Sequence, residues 1–284
     1  MEGMEPAFLD DRAVLAISGP QAREFLQGLV TNDIVQGVAP GTGLYTALLS
    51  PQGKILFDFL VTEGDGALLL DVARDSRDAL LKKLNMYKLR SQVGIEARDQ
   101  LGVYADLKGH PDNRVVPYAD RAVSFADPRL AALGLRSIGA RAEMPANLAG
   151  PRVYHQHRLA LGVPEGSDFG FEKIFALDGG LAELNGVSFT KGCYIGQELT
   201  SRMKHRATSR KRLLALTADA PLPATGPVTK GDVDIGELVS TYGTTAFALV
   251  RLDRLEEADG DVTAAQIPVA LHRPAWLAGA SGSA

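Results

Sequence analysis

The only cysteine of the sequence lies in its most unusual stretch, residues 191–198, which read KGCYIGQE. Two glycines permit a tight loop here, and residues 198–206 are predicted to form a helix directly after it. The N–H groups at a helix N-terminus and a basic neighbour such as Lys191 both favour an anion. They therefore favour the thiolate of Cys193, the form in which cysteine reacts and binds metals. The alternative is that a lone cysteine is a small, buried core residue.

The cysteine count limits the chemistry of any metal or cluster site. One cysteine excludes an intramolecular disulfide and any site built from several cysteines of one chain, and it is typical of a reducing compartment. A contact with an iron-sulfur cluster would use Cys193 alone or be shared with a partner. His155 and His157 stand two apart on a predicted helix and point to different faces. No metal site is predicted.

Composition predicts a folded, soluble protein. The 284 residues are 45% hydrophobic, which is enough for a substantial core, and 30 basic against 34 acidic side chains give a net charge of −4. This charge offers no general attraction to nucleic acid or to an anionic membrane. The first ten residues carry three acids and no base, unlike a secretory or transit peptide. A cytoplasmic location without membrane association is therefore expected.

The first hundred residues alternate between strand and helix patterns. Short apolar runs separated by turn sequences predict an antiparallel meander, and amphipathic spacing predicts two helices beside it. The predicted strands are 14–18, 44–49, 54–62, 67–72 and 93–96, and the predicted helices are 21–30 and 75–88. The fold class expected from this mixture is α+β.

The remainder of the chain predicts a second small sheet and then a different architecture. Strands at 102–106, 121–126 and 136–138 and a helix at 154–161 are expected in the middle portion. From residue 213 onward, strands at 213–217, 237–241, 246–251 and 269–271 have Pro- and Gly-rich connections, which predicts a small β-barrel or sandwich. The predicted domains are residues 1–100, 101–207 and 208–284.

The stretch KGCYIGQE resembles the signature K-G-C-[FYW]-x-G-Q-E of YgfZ-type folate-binding proteins. These belong to the aminomethyltransferase superfamily of the glycine-cleavage T-protein, and their mitochondrial relatives assist iron-sulfur cluster maturation. Residues 25–33, FLQGLVTND, are similar to the family's F-L-Q-G-Q-V-T-N-D. Further similarity is found in Pro51-Gln52-Gly53-Lys54 with Asp58, and in residues 236–240 and 246–251.

The resemblance implies a three-lobed aminomethyltransferase-like fold with a C-terminal β-barrel and a central cavity for tetrahydrofolate. The signature loop is expected to line this cavity, with Cys193 and Lys191 as reactive residues and Gln197 and Glu198 as folate contacts. In the aminomethyltransferases an aspartate acts near the folate N10 atom, and Asp58 is its candidate here. On its apolar strand, Asp58 either lines the cavity or faces water.

A second carboxylate is expected to bind the pterin. The family usually has P-x-[ED] ahead of the signature, and here the sequence has Ala176-Leu177-Asp178. Because a carboxylate can accept a pair of adjacent N–H donors, Asp178 is a candidate, although its arm is shorter and the proline is absent. The alternative is that Asp178 is simply a turn residue before two glycines.

Several cations are further candidates for folate binding. A run of them follows the signature: Arg202, Lys204, Arg206, Arg210, Lys211 and Arg212. Some of these cations are predicted to hold the glutamate tail of polyglutamylated folate, and replacing Arg202 and Arg206 tests this. The alternative is that the run is a solvated helix face. Tyr87 and Arg90 are carried as candidate folate contacts that could equally be surface or packing residues.

Three functions are compatible with the sequence and the resemblance. The preferred one is a non-enzymatic or marginally enzymatic tetrahydrofolate-binding protein that uses Cys193 to help client or assembly proteins with iron-sulfur clusters. The alternative is a folate-dependent one-carbon transferase that uses Asp58. The third is an RNA-binding factor, suggested by the family's links with tRNA modification. Nucleic acid is not an expected partner, because no aromatic residue is interleaved with the cations.

Overall fold

The computed structural model describes residues 6–107, 122–143, 148–206 and 210–278. The chain forms two compact units, each built from three separate segments. Unit 1 comprises the described parts of Met1–Leu48, Phe57–Arg158 and Leu184–Ile195, and unit 2 those of Leu49–Leu56, Leu159–Glu183 and Gly196–Ala284. The predicted division at residues 100 and 207 stays a prediction.

Strands and helices are mixed throughout, which confirms the α+β class. The strands are β1 (Ala7–Phe8), β2 (Arg12–Ser18), β3 (Gly43–Leu49), β4 (Ile55–Gly64), β5 (Ala67–Ala73), β6 (Gly94–Ala97), β7 (Leu101–Asp106), β8 (Val123–Ala126), β9 (Leu135–Ala140), β10 (Lys211–Ala218), β11 (Pro227–Lys230), β12 (Val233–Tyr242), β13 (Thr245–Arg251), β14 (Val262–Ala264) and β15 (Ile267–His272). The α-helices are α1 (Ala22–Gln27), α2 (Ile34–Gly37), α3 (Arg77–Lys88), α4 (Pro151–Ala160), α5 (Gln197–Arg206), α6 (Leu252–Glu257) and α7 (Ala275–Ala278), and short 3-10 helices lie at Ala131–Leu133, Arg141–Glu143 and Gly166–Phe169. Among the helices described, none has both the length and the apolar character needed to cross a membrane.

The five-stranded sheet has the order β3-β4-β5-β2-β6. Its β3-β4-β5 part corresponds to the predicted meander. Strands β4 and β5 are antiparallel and joined by the two-residue loop Asp65-Gly66, in which both residues have positive φ. An Asp-Gly pair is favoured in such a tight hairpin because its twist matches that of the strands. Beside this sheet, α3 buries Leu80 and Leu84.

Helix α1 is shorter than predicted. It ends at Gln27 rather than at Val30, because Gly28 caps it and Val30 instead forms an antiparallel β-bridge with Leu48. Residues 28–33 are thereby freed to run as an irregular, largely buried segment after the helix.

A four-stranded sheet of order β1-β7-β9-β8 completes the sheets of unit 1. Its three longer strands correspond to the three predicted in the middle portion, although Arg121 lies outside the described residues. The pairs β7–β9 and β8–β9 are antiparallel.

The C-terminal strands close into a barrel of order β10-β13-β12-β11-β14-β15, which confirms the predicted barrel. Its interior is aliphatic and includes Leu214, Leu216, Val228 and Ile235. Strands β11 and β14 were not predicted, since they have only four and three residues and show no clear alternation of apolar side chains. Pairing with neighbouring strands defines them instead.

Candidate functional site

Cys193 lies on an exposed loop of unit 1, and its side chain is free of any disulfide. The expected helix follows as α5, beginning at Gln197. Exposure excludes the alternative that this cysteine is a buried core residue. The thiol can therefore be reached by a reagent, a metal ion or another protein.

Lys191 fixes the loop two residues before the thiol. Its side chain is buried, and its ammonium donates to the backbone carbonyl oxygens of Gln27 at 2.6 Å, Val30 at 2.7 Å and Asn32 at 2.8 Å. These three hydrogen bonds use all three N–H donors of the ammonium group. Lys191 is thus a clamp between the signature loop and the 25–33 segment.

The acceptors of the clamp are themselves held in place. The side chain of Asn32 donates to the backbone oxygens of Tyr45 at 2.8 Å and Asn185 at 2.7 Å. The hydroxyl of Thr31 donates to the backbone oxygen of Gly186 at 2.6 Å. The polar residues of the 25–33 segment therefore build a rigid cradle for Lys191, which explains their presence in a buried stretch.

The electrostatic state of Lys191 follows from its burial. Burial lowers the pKa of Lys191 to about 8 from 10.5, and the nearby carboxylate of Asp33 partly opposes this. The ammonium also lies over the ring of Tyr194, 5.2 Å from its centroid. The predicted effect of Lys191 on the ionisation of Cys193 stays a prediction.

The two glycines of the signature serve different purposes. Gly196 has φ +79°, and a Cβ there would stand 2.6 Å from the backbone oxygen of Ser50 and 3.0 Å from the Cα of Gly53. Gly192 has no such requirement, since a Cβ there would meet no atom within 4 Å. The fold therefore explains Gly196, whereas Gly192 leaves the backbone beside Cys193 open.

This contrast gives a matched pair of substitutions. Gly196→Ala is expected to lower the free energy of unfolding by about 2 kcal/mol or more, because it combines a strained left-handed backbone with a clash against the main chain. Gly192→Ala is expected to change it by less than about 0.5 kcal/mol. Urea denaturation of both variants measures the difference, and equal losses would contradict the assigned roles.

Asp58 is buried on β4, and the hydroxyl of Tyr45 on β3 donates to its carboxylate at 3.2 Å. The alternative that Asp58 faces water is therefore wrong. The guanidinium of Arg129 lies 5.5 Å from the centroid of the Tyr45 ring. Sequence reasoning missed Tyr45, for which the only signal is an aromatic hydroxyl on the strand that precedes Asp58.

Asp178 is buried in unit 2, within a turn that both glycines after it support. The N–H of Gly180 donates to Leu177, and the backbone oxygen of Asp178 accepts from the N–H of Leu213 at 2.9 Å. Arg212 donates to the backbone oxygen of Leu177 at 2.9 Å. Asp178 is thus a turn residue. Because it is buried, its carboxylate also remains a candidate for binding the pterin.

Three further predicted residues of unit 2, Gln197, Glu198 and Arg202, lie on α5. Gln197 is half-buried, while Glu198 and Arg202 are exposed and form an i,i+4 ion pair. The side chain of Arg206 and residues 207–209 lie outside the described part of the chain. Arg212 pairs with Glu183 at 3.2 Å, so this member of the predicted cation run has a structural partner.

Tyr87 and Arg90 lie in unit 1, at the end of α3. Tyr87 is half-buried beneath the ammonium of Lys83, which is 5.7 Å from the ring centroid, and Arg90 is exposed. Across the described residues, no three His, Cys, Asp or Glu side chains lie close enough together to hold a metal ion.

Comparison with known proteins identifies close sequence relatives. The chain is 34% identical over 304 residues to the human mitochondrial iron-sulfur cluster assembly factor IBA57, covering 94% of this chain and 84% of that protein. It is also 34% identical over 279 residues to the mouse protein of the same name, covering 87% and 78%. The family model of the CAF17 C-terminal beta-barrel domain matches residues 210–279.

The fold also matches a solved structure. The glycine cleavage system aminomethyltransferase T from Bartonella henselae superposes with a TM-score of 0.73, covering 96% of this chain and 87% of that one. At 14% identity this likeness shows the fold alone. The predicted aminomethyltransferase-like fold with a C-terminal barrel is confirmed.

The predicted location is wrong. The expected cytoplasmic location is contradicted by the sequence relatives, which are named as mitochondrial proteins. The acidic first residues on which that prediction rested do not determine the compartment.

The identities and coverage, together with the YgfZ-type signature on the exposed loop, show that the chain belongs to the IBA57 family of iron-sulfur cluster assembly factors.

Proposed function

We propose that this protein binds tetrahydrofolate and assists the assembly or repair of iron-sulfur clusters in client enzymes, with the thiolate of Cys193 as its functional group. The observation that carries the proposal is an exposed thiol on a loop that a buried lysine clamps to the protein core. Structural cysteines are commonly buried, whereas this one is presented to the outside on a rigid support.

The geometry gives Cys193 the features of a transient ligand. Thiolates are preferred ligands of iron-sulfur clusters. A stable cluster is usually held by several cysteines, so a single thiolate would hold iron less firmly and could release it to another protein. The open backbone at Gly192 leaves room for a second molecule to approach, because a Cβ there would meet no atom within 4 Å apart from those of its chain neighbours. The remaining ligands of a cluster would come from an iron-sulfur client or assembly protein.

Two buried hydrogen-bond acceptors support the choice of tetrahydrofolate as the ligand. When bound, this cofactor carries one-carbon units on its N5 and N10 nitrogens. Asp58 in unit 1 and Asp178 in unit 2 are both buried. Each by itself would suit an N–H group of the cofactor, because a carboxylate in an apolar setting forms strong hydrogen bonds with such donors. Tyr45 would hold the Asp58 carboxylate in position. Gln197, Arg202, Tyr87 and Arg90 stay candidate contacts.

Titration of the purified protein with tetrahydrofolate tests the ligand. Asp178→Asn is expected to weaken binding about tenfold to a hundredfold, because a buried, charged hydrogen-bond acceptor is lost. The exposed Asp219→Asn in the same unit is a control with the same chemical change. The folate site would be contradicted if the wild-type protein did not bind the cofactor, or if the two variants bound it with equal affinity. Neither result would bear on the proposed role of Cys193.

A second function, folate-dependent one-carbon transfer, is favoured by the buried pair of Asp58 and Tyr45. This chemistry needs no thiol. Turnover of 5,10-methylenetetrahydrofolate that survives Cys193→Ser and is lost in Asp58→Asn would support transfer. Absence of turnover in the wild-type protein would remove this alternative.

A further inference from the structure

The turn after α3 holds a leucine in an unfavourable backbone conformation. The N–H of Ser91 donates to the backbone oxygen of Lys88 at 2.8 Å and closes a four-residue turn. Leu89, in its second position, has φ 41° and ψ −107°. This is the first central position of a type II′ turn, where glycine is strongly preferred because a Cβ is strained. Glycine at position 89 would adopt this backbone conformation with less strain.

The strained residue is also the most exposed large hydrophobic side chain in the described part of the chain. Leu89 is 89% exposed, and Met86, one helical turn earlier, is 62% exposed. Leu89 lines an open groove of about 740 Å³ together with Gln21, Tyr87, Arg90 and Ser91. Backbone strain that presents an apolar side chain next to a groove is a mark of a functional surface.

Along the chain, the charges nearest this turn are of one sign. Residues 79–95 contain four cations, Lys82, Lys83, Lys88 and Arg90, and no acidic residue. Lys83 lies over Tyr87. Within the described part of the chain, Lys82, Lys88 and Arg90 have no carboxylate partner. The protein as a whole carries a net charge of −4, so this is a local positive surface on an acidic molecule.

We propose that the α3 turn surface, defined as Met86, Lys88, Leu89 and Arg90, docks an acidic segment of a partner protein. Carboxylates of the segment pair with Lys88 and Arg90, while one of its apolar side chains enters the groove and covers Leu89. The charge complementarity selects the partner and guides its approach, and burial of the two apolar side chains supplies affinity. The surface lies in unit 1, and none of its four residues belongs to the Cys193 loop.

The observed side chains favour a protein over nucleic acid or a membrane. Single-stranded nucleic acid needs exposed aromatic rings for stacking, and Tyr87 is half-buried beneath Lys83. A lipid surface is flat and would leave the groove unfilled, and two aliphatic side chains provide little insertion into a bilayer.

The full chain can be tested by fluorescence anisotropy with a labelled peptide of alternating Glu and Leu. Two comparison peptides carry Lys in place of Glu or Ser in place of Leu. Arg90→Glu is expected to weaken binding of the Glu-Leu peptide about tenfold, because it replaces attraction with repulsion. The matched control Arg152→Glu, with the same charge change on the exposed surface of α4, is expected to bind as the wild type does.

Leu89→Gly separates a docking role from a structural one. Glycine relieves the backbone strain, so the thermal midpoint is expected to rise while peptide binding weakens. Equal binding of the Glu-Leu and Lys-Leu peptides, equal affinities of the two charge variants, or unchanged binding by Leu89→Gly would overturn the proposal. So would tighter binding of a single-stranded oligonucleotide or of phosphatidylserine vesicles. None of these results depends on the function of Cys193.

Discussion

Replacing Cys193 with serine is expected to reduce activation of an apo iron-sulfur enzyme to the level seen without the protein. Serine preserves the size of the side chain, but its hydroxyl does not ionise near neutral pH and binds iron poorly. The measurement is the rate at which the apo enzyme regains activity under anaerobic conditions with ferrous iron and sulfide. Because the thiol is exposed, the free energy of unfolding should change by less than about 0.5 kcal/mol.

Thr190→Ala is the matched control for this substitution. Thr190 is exposed on the same loop, and its loss leaves the thiol and the Lys191 clamp in place. This variant is expected to activate the enzyme as the wild type does. If Cys193→Ser were as active as Thr190→Ala, the proposed role of the thiol would be wrong.

Lys191→Met is expected to lower the free energy of unfolding by about 2–4 kcal/mol, which is the largest effect on stability predicted here. Methionine has a comparable length but cannot donate, so the backbone oxygens of Gln27, Val30 and Asn32 lose a shared donor inside the protein. Urea denaturation measures the loss. The exposed Lys173→Met is the control and should have little effect. A similar effect of the two variants would contradict the clamp.

The difference in stability between the wild type and Lys191→Met is expected to depend on pH. The pKa of Lys191 is lowered to about 8 in the folded protein, against 10.5 for an unperturbed lysine. Between these values the unfolded chain binds more protons, so the stability of the wild type relative to Lys191→Met should rise as the pH increases from about 8 towards 10.5. A stability difference that does not vary over this interval would contradict the burial of the charge.

Much of the fold could be predicted because apolar periodicity and turn residues report on local structure. The strands around the Asp65-Gly66 turn are an example. The early end of α1 could not be predicted, because the bridge between Val30 and Leu48 depends on a distant segment. The small strands β11 and β14 were not predicted for the same reason, since pairing with neighbouring strands defines them rather than a pattern of apolar residues.

The candidate site was predicted only in part. The signature identified Cys193, which the structure places on an exposed loop. The position of the Lys191 ammonium could not be predicted. A lysine two residues from a cysteine suggests that its charge stabilises the thiolate. Nothing in the sequence indicates that it binds three carbonyl oxygens more than 150 residues away. Tyr45 was missed because its partner Asp58 lies on another strand.

The central claim is that this chain supports iron-sulfur enzymes through Cys193. The most direct test is to measure the activities of several iron-sulfur enzymes in cells that lack the chromosomal gene and express either the wild type or Cys193→Ser at equal levels. The wild type should restore these activities and the variant should not. Full restoration by Cys193→Ser, or activities that do not fall when the gene is removed, would contradict the claim.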